Sequence, residues 1–409
     1  MKNLNPQPYK LFNKIQHYDW GTKNNEAIIP RFLGIEPELN TPYAELWIGA
    51  HPKASSEIEI KGEKIQLFNL IQQYPLDLLG NYVSQKFSNN FPFLLKVLSA
   101  ANALSIQTHP NKSQAEELHS ADPKNYPDDN HKPEIAIAID SLIALAGFRP
   151  AEEIINNLFT IPEICEFAES EIPQTLLNSS NNQEAENAIR NIYSKLMHRY
   201  DDKIKLSSVM KRIKERIEKR YPLSLQDSQF LMQYDLFGND IGLFSFFFFN
   251  IITLKPGEAI FTDAGIPHAY IKGNIIECMA NSDNVVRAGL TNKFKDIDTL
   301  LGIINYDFSS YKIINPNNIN GETVYTTKAE EFEVTNFKIT GKFNKSFKNL
   351  NKPEIYLIAD GALNISWKSG VSTGEQNFNQ GESFIIPANL ITYEISSLGK
   401  VNFYKVTIP

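Results

Sequence analysis

Histidine, glutamine and glutamate side chains occur at three places in this 409-residue chain in a combination that suits a divalent metal ion. Gln107 and His109 alternate in the segment "IQTHPNK", so in a strand they share one face. Glu134 stands in "HKPEIAIAID", and His268 follows a proline in "AGIPHAYI". Two imidazoles, one carboxylate and one amide oxygen form a plausible ligand set for zinc, at about 2.0–2.2 Å, with a position open for water or substrate.

Strand geometry predicts that two more polar side chains lie beside these residues. Ser105 shares the face of Gln107 and His109, because alternate residues of a strand point the same way. Lys132 precedes a proline, which favours extended backbone, so Lys132 and Glu134 also share a face. The isoleucines that follow then occupy the opposite face. This segment therefore reads as a strand with one polar and one apolar side.

Arg287 and Lys293 add two cations shortly after His268, in the run "NSDNVVRAGLTNKF". An arginine within the apolar "VVRAGL" must pair with an anion or reach solvent. On pattern alone, histidines bonded to backbone carbonyls, a solvated strand face and surface lysines remain alternatives to a functional site. The remaining histidines are also open as ligands: His17, His51, His119, His131 and His198.

Composition narrows the classes of function. A formal net charge of -7 argues against a general nucleic-acid binder and against binding to an anionic membrane surface. Two cysteines, Cys165 and Cys278, cannot make a disulfide framework. The start of the chain lacks an apolar signal core, and the longest apolar run, residues 241–254, falls short of the ~20 residues of a membrane helix. We therefore expect a cytosolic protein that holds this run as a buried strand or core segment.

The chain divides into three predicted regions. Residues 1–149 and 238–312 carry alternating apolar and polar residues between turn signals, which predicts a β-rich domain in two pieces. Residues 150–237 carry helical periodicity, with apolar stripes in "NNQEAENAIRNIYSKLMHRY" and "LSSVMKRIKERIEKRY". Residues 313–409 return to strands. The fold class is mainly β, with a helical domain inserted.

A short repeat links the two β regions. "PGEAIFTDAGIPHAYI" and "QGESFIIPANLITYEI" each have a Gly-Glu turn, an apolar strand, a second turn and another strand, so Gly257-Glu258 aligns with Gly381-Glu382. Gly-Glu turns of this kind recur in double-sheet jelly rolls. The second copy has Asn389 and Leu390 where the first approaches His268. We predict two related β-rolls, of which only the first carries a site.

The segments that hold these residues are similar to the hallmark segments of type I mannose-6-phosphate isomerases, also called phosphomannose isomerases. The similarity covers "IQTHPNK", "HKPE", "GIPHAYI" and "NSDNVVRAGLTNKF". It extends to "IQHYDWG", "PYAELWIGAHPKASS", "FPFLLKVLSAANALSIQTHP" and "ALAGFRPAEEI". These segments follow one another in the family's order along most of the chain, and the helical region is the least distinctive part.

The resemblance implies a zinc enzyme that interconverts mannose 6-phosphate and fructose 6-phosphate, with one zinc ion per chain and no nucleic-acid or membrane partner. It implies a cupin-like double-stranded β-helix as catalytic domain, a helical domain and a C-terminal jelly roll; we expect a monomer. Carried over by position, the site residues fall into three groups. The zinc ligands are Gln107, His109, Glu134 and His268; the catalytic arginine is Arg287; Ser105, Lys132 and Lys293 line the substrate cavity, with the phosphate near Ser105 and Lys293.

The proton-transfer group stays open at this stage. Lys132 is one candidate, since neighbouring zinc and arginine charge would lower the pKa of its amine, and Glu277 in "GNIIECMANSD" is another. A zinc-bound water is the third, and Glu277 is equally suited to supporting His268 or a cation. Two rival functions are an Fe(II) oxygenase and a non-catalytic sugar-phosphate binder.

Overall fold

Strands and helices alternate with short turns throughout this computed structural model, which describes residues 4–173, 176, 182–370 and 372–409. The residue that opens the predicted helical segment "NNQEAENAI", Asn181, lies outside the described residues. The helices are α1 (Ile28–Leu33), α2 (Leu67–Gln73), α3 (Pro75–Lys86), α4 (Lys112–Ala121), α5 (Ala151–Thr160), α6 (Glu163–Ala168), α7 (Asn182–His198), α8 (Lys203–Ile217), α9 (Leu225–Phe237), α10 (Ser245–Phe248) and α11 (Ile297–Ile303). Within the described residues, no helix is both long enough and apolar enough to cross a membrane.

Strands before residue 313, except β1 (Tyr9–Leu11), build one large antiparallel sheet and two small two-stranded sheets. They are β2 (Lys14–Gln16), β3 (Thr22–Lys23), β4 (Pro42–Tyr43), β5 (Glu45–Gly49), β6 (Glu57–Ile60), β7 (Glu63–Gln66), β8 (Phe93–Ala100), β9 (Ile106–Thr108), β10 (Glu134–Ala138), β11 (Leu142–Phe148), β12 (Phe249–Leu254), β13 (Ala259–Thr262), β14 (His268–Ala280) and β15 (Val286–Gly289). The path β12-β11-β14-β8-β5-β2 carries β9, β10, β13 and β15 as further partners. The long strand β14 pairs with β8, β9, β10 and β11, so it is the centre of this sheet.

The remaining strands form a second β unit, in which β1 also takes part. They are β16 (Asn318–Ile319), β17 (Glu322–Tyr325), β18 (Glu333–Ile339), β19 (Phe343–Lys348), β20 (Glu354–Asp360), β21 (Ala362–Ser369), β22 (Ser372–Asn379), β23 (Ser383–Ile386), β24 (Thr392–Ser397) and β25 (Val401–Thr407). A seven-stranded sheet, β1-β23-β20-β25-β18-β17-β16, and a four-stranded sheet, β19-β24-β21-β22, enclose a core of aromatic and branched side chains. The outer face of the seven-stranded sheet shares a second core with the large sheet.

The two Gly-Glu turns have the same backbone hydrogen bonds. Gly257 and Gly381 both have positive φ, at 88° and 80°, which suits glycine. Gly257 N–H donates to Ala138 O and Ala138 N–H to Glu258 O, both within 2.9 Å. Gly381 and Glu382 make the equivalent pair of bonds with Ile358, at 2.9 and 3.0 Å. The repeat predicted from sequence therefore corresponds to one strand-turn motif built twice, with β10 in the first copy matching β20 in the second.

Helices α5 to α9 lie in the stretch for which helices were predicted, and their apolar faces share one core with β11, β12 and the residues before β12. Ile189, Ile192 and Leu196 of α7 are at most 1% exposed, as the helical stripe predicts. The apolar run 241–254 is buried, but only its end is a strand, since a 3-10 turn and α10 precede β12. The division at residues 149/150, 237/238 and 312/313 stays a prediction.

One ion pair inside the helical region leads to a prediction about stability. The Glu163 carboxylate is 5% exposed and accepts hydrogen bonds from Arg216 Nε and Nη2, at 3.0 and 2.8 Å to Oε1. We expect Arg216→Met to lower the free energy of unfolding by about 2 kcal/mol, because the buried carboxylate loses its charged donors. Urea unfolding followed by circular dichroism measures the change. The double variant with Glu163→Leu should recover part of the loss; no recovery would contradict this account.

Candidate metal centre

Three ionisable side chains converge inside the large sheet. One ligand atom each from His109, Glu134 and His268 lies within 4.8 Å of the others, and all three residues are buried. His109 Nε2 is 3.6 Å from Glu134 Oε1, and His268 Nε2 is 3.1 Å from Glu134 Oε2. Yet neither Nε2 atom nor Glu134 Oε2 makes a hydrogen bond of acceptable geometry to another described residue. Buried polar atoms normally have a partner, so the arrangement fits a bound metal ion.

Backbone carbonyls orient both imidazoles. His109 Nδ1 lies 2.7 Å from Asn284 O, and His268 Nδ1 lies 2.9 Å from Ile266 O. A carbonyl only accepts, so each Nδ1 carries the proton and each Nε2 presents a lone pair to the centre, as metal-binding histidines do. Burial, with help from the charge of Lys132, lowers the pKa of His109 to about 4. This imidazole is therefore neutral near pH 7, which is the form that binds metals.

Gln107 lies on β9 between the strands that carry His268 and Arg287. It is directly opposite His268 of β14 on one side and directly opposite Arg287 of β15 on the other. Directly opposed residues of an antiparallel pair share a face, so all three side chains project to the same side. Strand β9 has only three residues, and His109 follows it; the predicted strand face that included Ser105 and His109 was therefore too long. His109 still reaches the centre from just beyond the strand.

Lys132 and Glu134 share a face, as the proline between them predicts. The two side chains form an ion pair, with 2.8 Å between Lys132 Nζ and Glu134 Oε1. Burial alone would raise the pKa of Glu134, but Lys132 and the nearby imidazoles hold this pKa well below its usual range. Glu134 is thus a carboxylate near pH 7, with its charge directed at the two histidines.

Comparisons with known proteins give matches to one family over most of the chain. The family model described as phosphomannose isomerase type I, catalytic domain, matches residues 9–151, and the one described as its helical insertion domain matches residues 164–249. Mannose-6-phosphate isomerase 2 of Arabidopsis thaliana is 35% identical over 411 residues, which cover 96% of this chain and 91% of the relative. The chain belongs to the type I phosphomannose isomerase family. It is thus an enzyme of the isomerase class.

Other members of the type I phosphomannose isomerase family extend the comparison. Human mannose-6-phosphate isomerase is 40% identical over 328 residues, which cover 75% of each chain. A solved mannose 6-phosphate isomerase described as holo and zinc bound superposes with a TM-score of 0.84 at 28% identity, over 98% of this chain and 99% of that one. A variant of phosphomannose isomerase from Salmonella typhimurium gives a TM-score of 0.85 at the same identity and coverage.

In this phosphomannose isomerase family member, a buried lysine that sequence reasoning missed lies in the same sheet as the ligands. Lys96 of β8 is directly opposite Glu277 of β14 and Trp47 of β5. Its Nζ is 3.0 Å from Glu277 Oε2 and 3.5 Å from Glu45 Oε1, and Trp47 Nε1 donates to Glu45 Oε2 at 2.6 Å. Glu277 therefore contacts a cation and not His268. Burial raises the pKa of Glu277, although Lys96 opposes the shift.

A second buried polar side chain that sequence reasoning missed lies near the candidate ligands. Tyr270 is two residues after His268 on β14, with 6.4 Å between the ring centroids, so both side chains share a face. Its hydroxyl is buried close to Glu277, and burial, together with the negative charge of Glu277, raises the pKa of Tyr270 well above its usual range. No sequence signal pointed to Tyr270 before the strand that carries it was placed.

The cations predicted for an anionic substrate lack acidic partners. Arg287 is half-buried, and burial lowers the pKa of its guanidinium, but no carboxylate of a described residue lies within 4 Å of it. Lys293 is exposed, and Ser105 is half-buried immediately before β9. Neither side chain has a hydrogen bond or ion pair to another described residue. The remaining histidines lie outside the ligand cluster and contact other groups: His17, His51, His119, His131 and His198.

Proposed function

We propose that this protein interconverts D-mannose 6-phosphate and D-fructose 6-phosphate, with one zinc ion held by Gln107, His109, Glu134 and His268. The observation that carries the proposal is the buried cluster of two imidazoles and one carboxylate, in which both Nε2 atoms and Glu134 Oε2 lack hydrogen bonds to described residues. Zinc is bound in a solved relative that superposes over nearly the whole chain. The amide of Gln107 supplies a neutral fourth donor on the same face.

The charge of the site supports a divalent metal and a dianionic substrate. Three carboxylates and two ammonium groups are buried here, which leaves one negative charge: Glu45, Glu134 and Glu277 against Lys96 and Lys132. A divalent cation reverses the sign, and Arg287 adds a further positive charge. A sugar phosphate carries a charge of about -2 near pH 7, so it balances the loaded site.

The reaction requires opening of the sugar ring and transfer of a proton between C2 and C1 through a cis-enediol. A bound zinc ion would supply Lewis-acid chemistry at the sugar oxygens. Arg287, on the same face as Gln107, places a fixed guanidinium where negative charge develops in the enediolate. Ser105 and Lys293 would hold the remote phosphate, whose binding energy keeps C1 and C2 in position.

Two side chains remain candidates for the proton-transfer group, and their contacts favour Glu277. Lys132 Nζ is 2.8 Å from Glu134 Oε1, so this side chain is engaged by a proposed zinc ligand. Glu277 is buried, its pKa is raised, and its single ion pair is with Lys96. A carboxylate in such an environment is suited to taking and returning a proton near neutral pH.

Turnover by the purified protein tests this function directly. We expect fructose 6-phosphate to accumulate from mannose 6-phosphate, with zinc found at one equivalent per chain by elemental analysis. Iron in place of zinc, together with oxygen uptake, would instead indicate the oxygenase. Zinc and sugar-phosphate binding without any turnover would indicate the non-catalytic binder. A cytosolic monomer stays part of the proposal.

The contacts of Lys96 lead to a prediction about catalysis. We expect Lys96→Gln to lower kcat about 100-fold while the zinc content stays unchanged, because Glu277 loses its ion pair and is held in its protonated form. Steady-state kinetics and elemental analysis measure both. Lys400, an exposed lysine paired with Asp360 in the second β unit, gives the matched control, and Lys400→Gln should leave kcat unchanged. Normal kcat in the Lys96 variant would contradict this role.

A further inference from the structure

Strand β15 and the segment that follows it carry the two cations assigned to the substrate, so their position matters for the proposed function, on which this inference rests. Arg287 lies within β15, and Lys293 follows four residues after the strand ends at Gly289. No carboxylate side chain of a described residue pairs with either cation. Contacts of the backbone must therefore fix the position of this segment.

Asp240, which follows the last of the inserted helices, accepts hydrogen bonds from this backbone. Asp240 Oδ1 accepts hydrogen bonds from Leu290 N–H at 2.6 Å and from Gly242 N–H at 2.7 Å. Asp240 Oδ2 accepts a longer one from Thr291 N–H at 3.4 Å. One carboxylate thus joins the 3-10 turn that starts after α9 to the first two residues beyond β15.

The two backbones approach so closely that only glycine fits on both sides. A Cβ atom on Gly289 would lie 2.3 Å from Gly242 Cα, and a Cβ atom on Gly242 would lie 2.6 Å from Leu290 N. Leu290 itself has φ of +51°, a left-handed conformation that is unfavourable for leucine. Contacts must compensate for this conformation, and the hydrogen bond from Leu290 N–H to Asp240 Oδ1, at 2.6 Å, is one of them.

Hydrogen bonds of Thr291 connect the residues that Asp240 holds to Lys293. Thr291 Oγ1 accepts from Lys293 N–H at 3.1 Å, and Thr291 O accepts from Lys295 Nζ at 2.8 Å. The turn is therefore organised around Thr291, which directly follows Leu290, the residue with the shorter hydrogen bond to Asp240. A shift of Leu290 and Thr291 would move Lys293 with them.

We propose that Asp240 is a positioning residue for the reaction. Through Leu290 and Thr291 it sets Arg287 and Lys293 at the places where the enediolate and the substrate phosphate bind. The carboxylate does not touch substrate. The inserted helices thereby contribute to substrate binding through the residue that follows their last helix, α9, by three positions. A displacement of about 1 Å at a binding group costs up to about 100-fold in rate, so a modest shift is measurable.

Asp240→Ala and Asp240→Asn test the proposal in the full-length zinc enzyme. Asp240→Ala removes all three acceptor contacts, and we expect the KM for mannose 6-phosphate to rise about tenfold. The inhibition constant of inorganic phosphate, used as a competitive probe, should rise by a similar factor, while zinc stays at one equivalent. Asp240→Asn keeps an oxygen that can accept both short bonds, so it should restore most of the affinity.

Asp202→Ala is the matched control, because Asp202 caps α8 by accepting from Lys205 N–H at 3.1 Å and does not contact the segment after β15. It should lower thermal stability without changing KM or phosphate inhibition. Unchanged phosphate inhibition in Asp240→Ala, or equal changes in both alanine variants, would overturn the proposal. Failure of the proposed function is distinguishable, since the unmodified protein would then show no turnover at all.

Discussion

His268→Ala is expected to remove most of the bound zinc and to lower kcat/KM by at least about 1,000-fold. The side chain would supply one of the two imidazole ligands, and its Nε2 has no alternative hydrogen-bond partner among the described residues. In the proposed mechanism, loss of the metal removes the doubly charged group that would stabilise the enediolate, and such stabilisation is worth several kcal/mol. Elemental analysis and initial rates with mannose 6-phosphate measure the two effects together.

Two controls accompany this variant. His198 is exposed at the end of α7, and His198→Ala should keep full zinc content and turnover. A chelator should abolish turnover of the unmodified protein, and added zinc should restore it. Undiminished turnover after exhaustive metal removal would refute the zinc assignment. Full zinc in His268→Ala would show that this histidine is not a ligand.

Arg287→Ala is expected to lower kcat by about 1,000-fold while zinc stays at one equivalent per chain. Arg287 is opposite Gln107 and lacks an acidic partner among the described residues, so its charge is available to the reacting sugar. A fixed cation that acts mainly on the transition state affects kcat more than KM, and losing one costs about 3–4 kcal/mol. Steady-state kinetics on protein of known zinc content measures kcat and KM separately.

Arg287→Lys and a second arginine provide the comparison. Lysine keeps the charge but loses the planar fork of donors, so Arg287→Lys should recover only part of kcat. Arg31 is an exposed arginine of α1 without an ion pair, and Arg31→Ala should have no effect on kcat. Loss of zinc in Arg287→Ala would instead show that the arginine maintains the shape of the metal centre.

Sequence periodicity predicted the shared face of Lys132 and Glu134, because strand faces are local. The proline between Lys132 and Glu134 placed the two on one face, and the structure joins them in an ion pair. The position of Gln107 between His268 and Arg287 depends on the register of three strands that are far apart in sequence. Side-chain alternation alone cannot supply that register, so it required the structure.

The need of Lys96 for a charged partner could have been predicted from the sequence. Lys96 lies in "FPFLLKVLSA", where every residue of β8 is buried. A lysine in such a strand must have a charged partner, and the same reasoning had been applied to Arg287. Its partners, Glu45 and Glu277, come from two other strands, so their identity did not follow from sequence.

The central place of β14 has a consequence for biosynthesis. This strand supplies His268, pairs with four other strands, and is made on the ribosome after the whole helical insertion has emerged. Until then, Gln107, His109 and Glu134 lack the neighbour that joins their strands. The nascent chain thus cannot assemble the proposed ligand set until about two thirds of its 409 residues have been made, and we expect zinc to bind after that point. Truncated chains that end before residue 268 should therefore capture little of the cell's zinc.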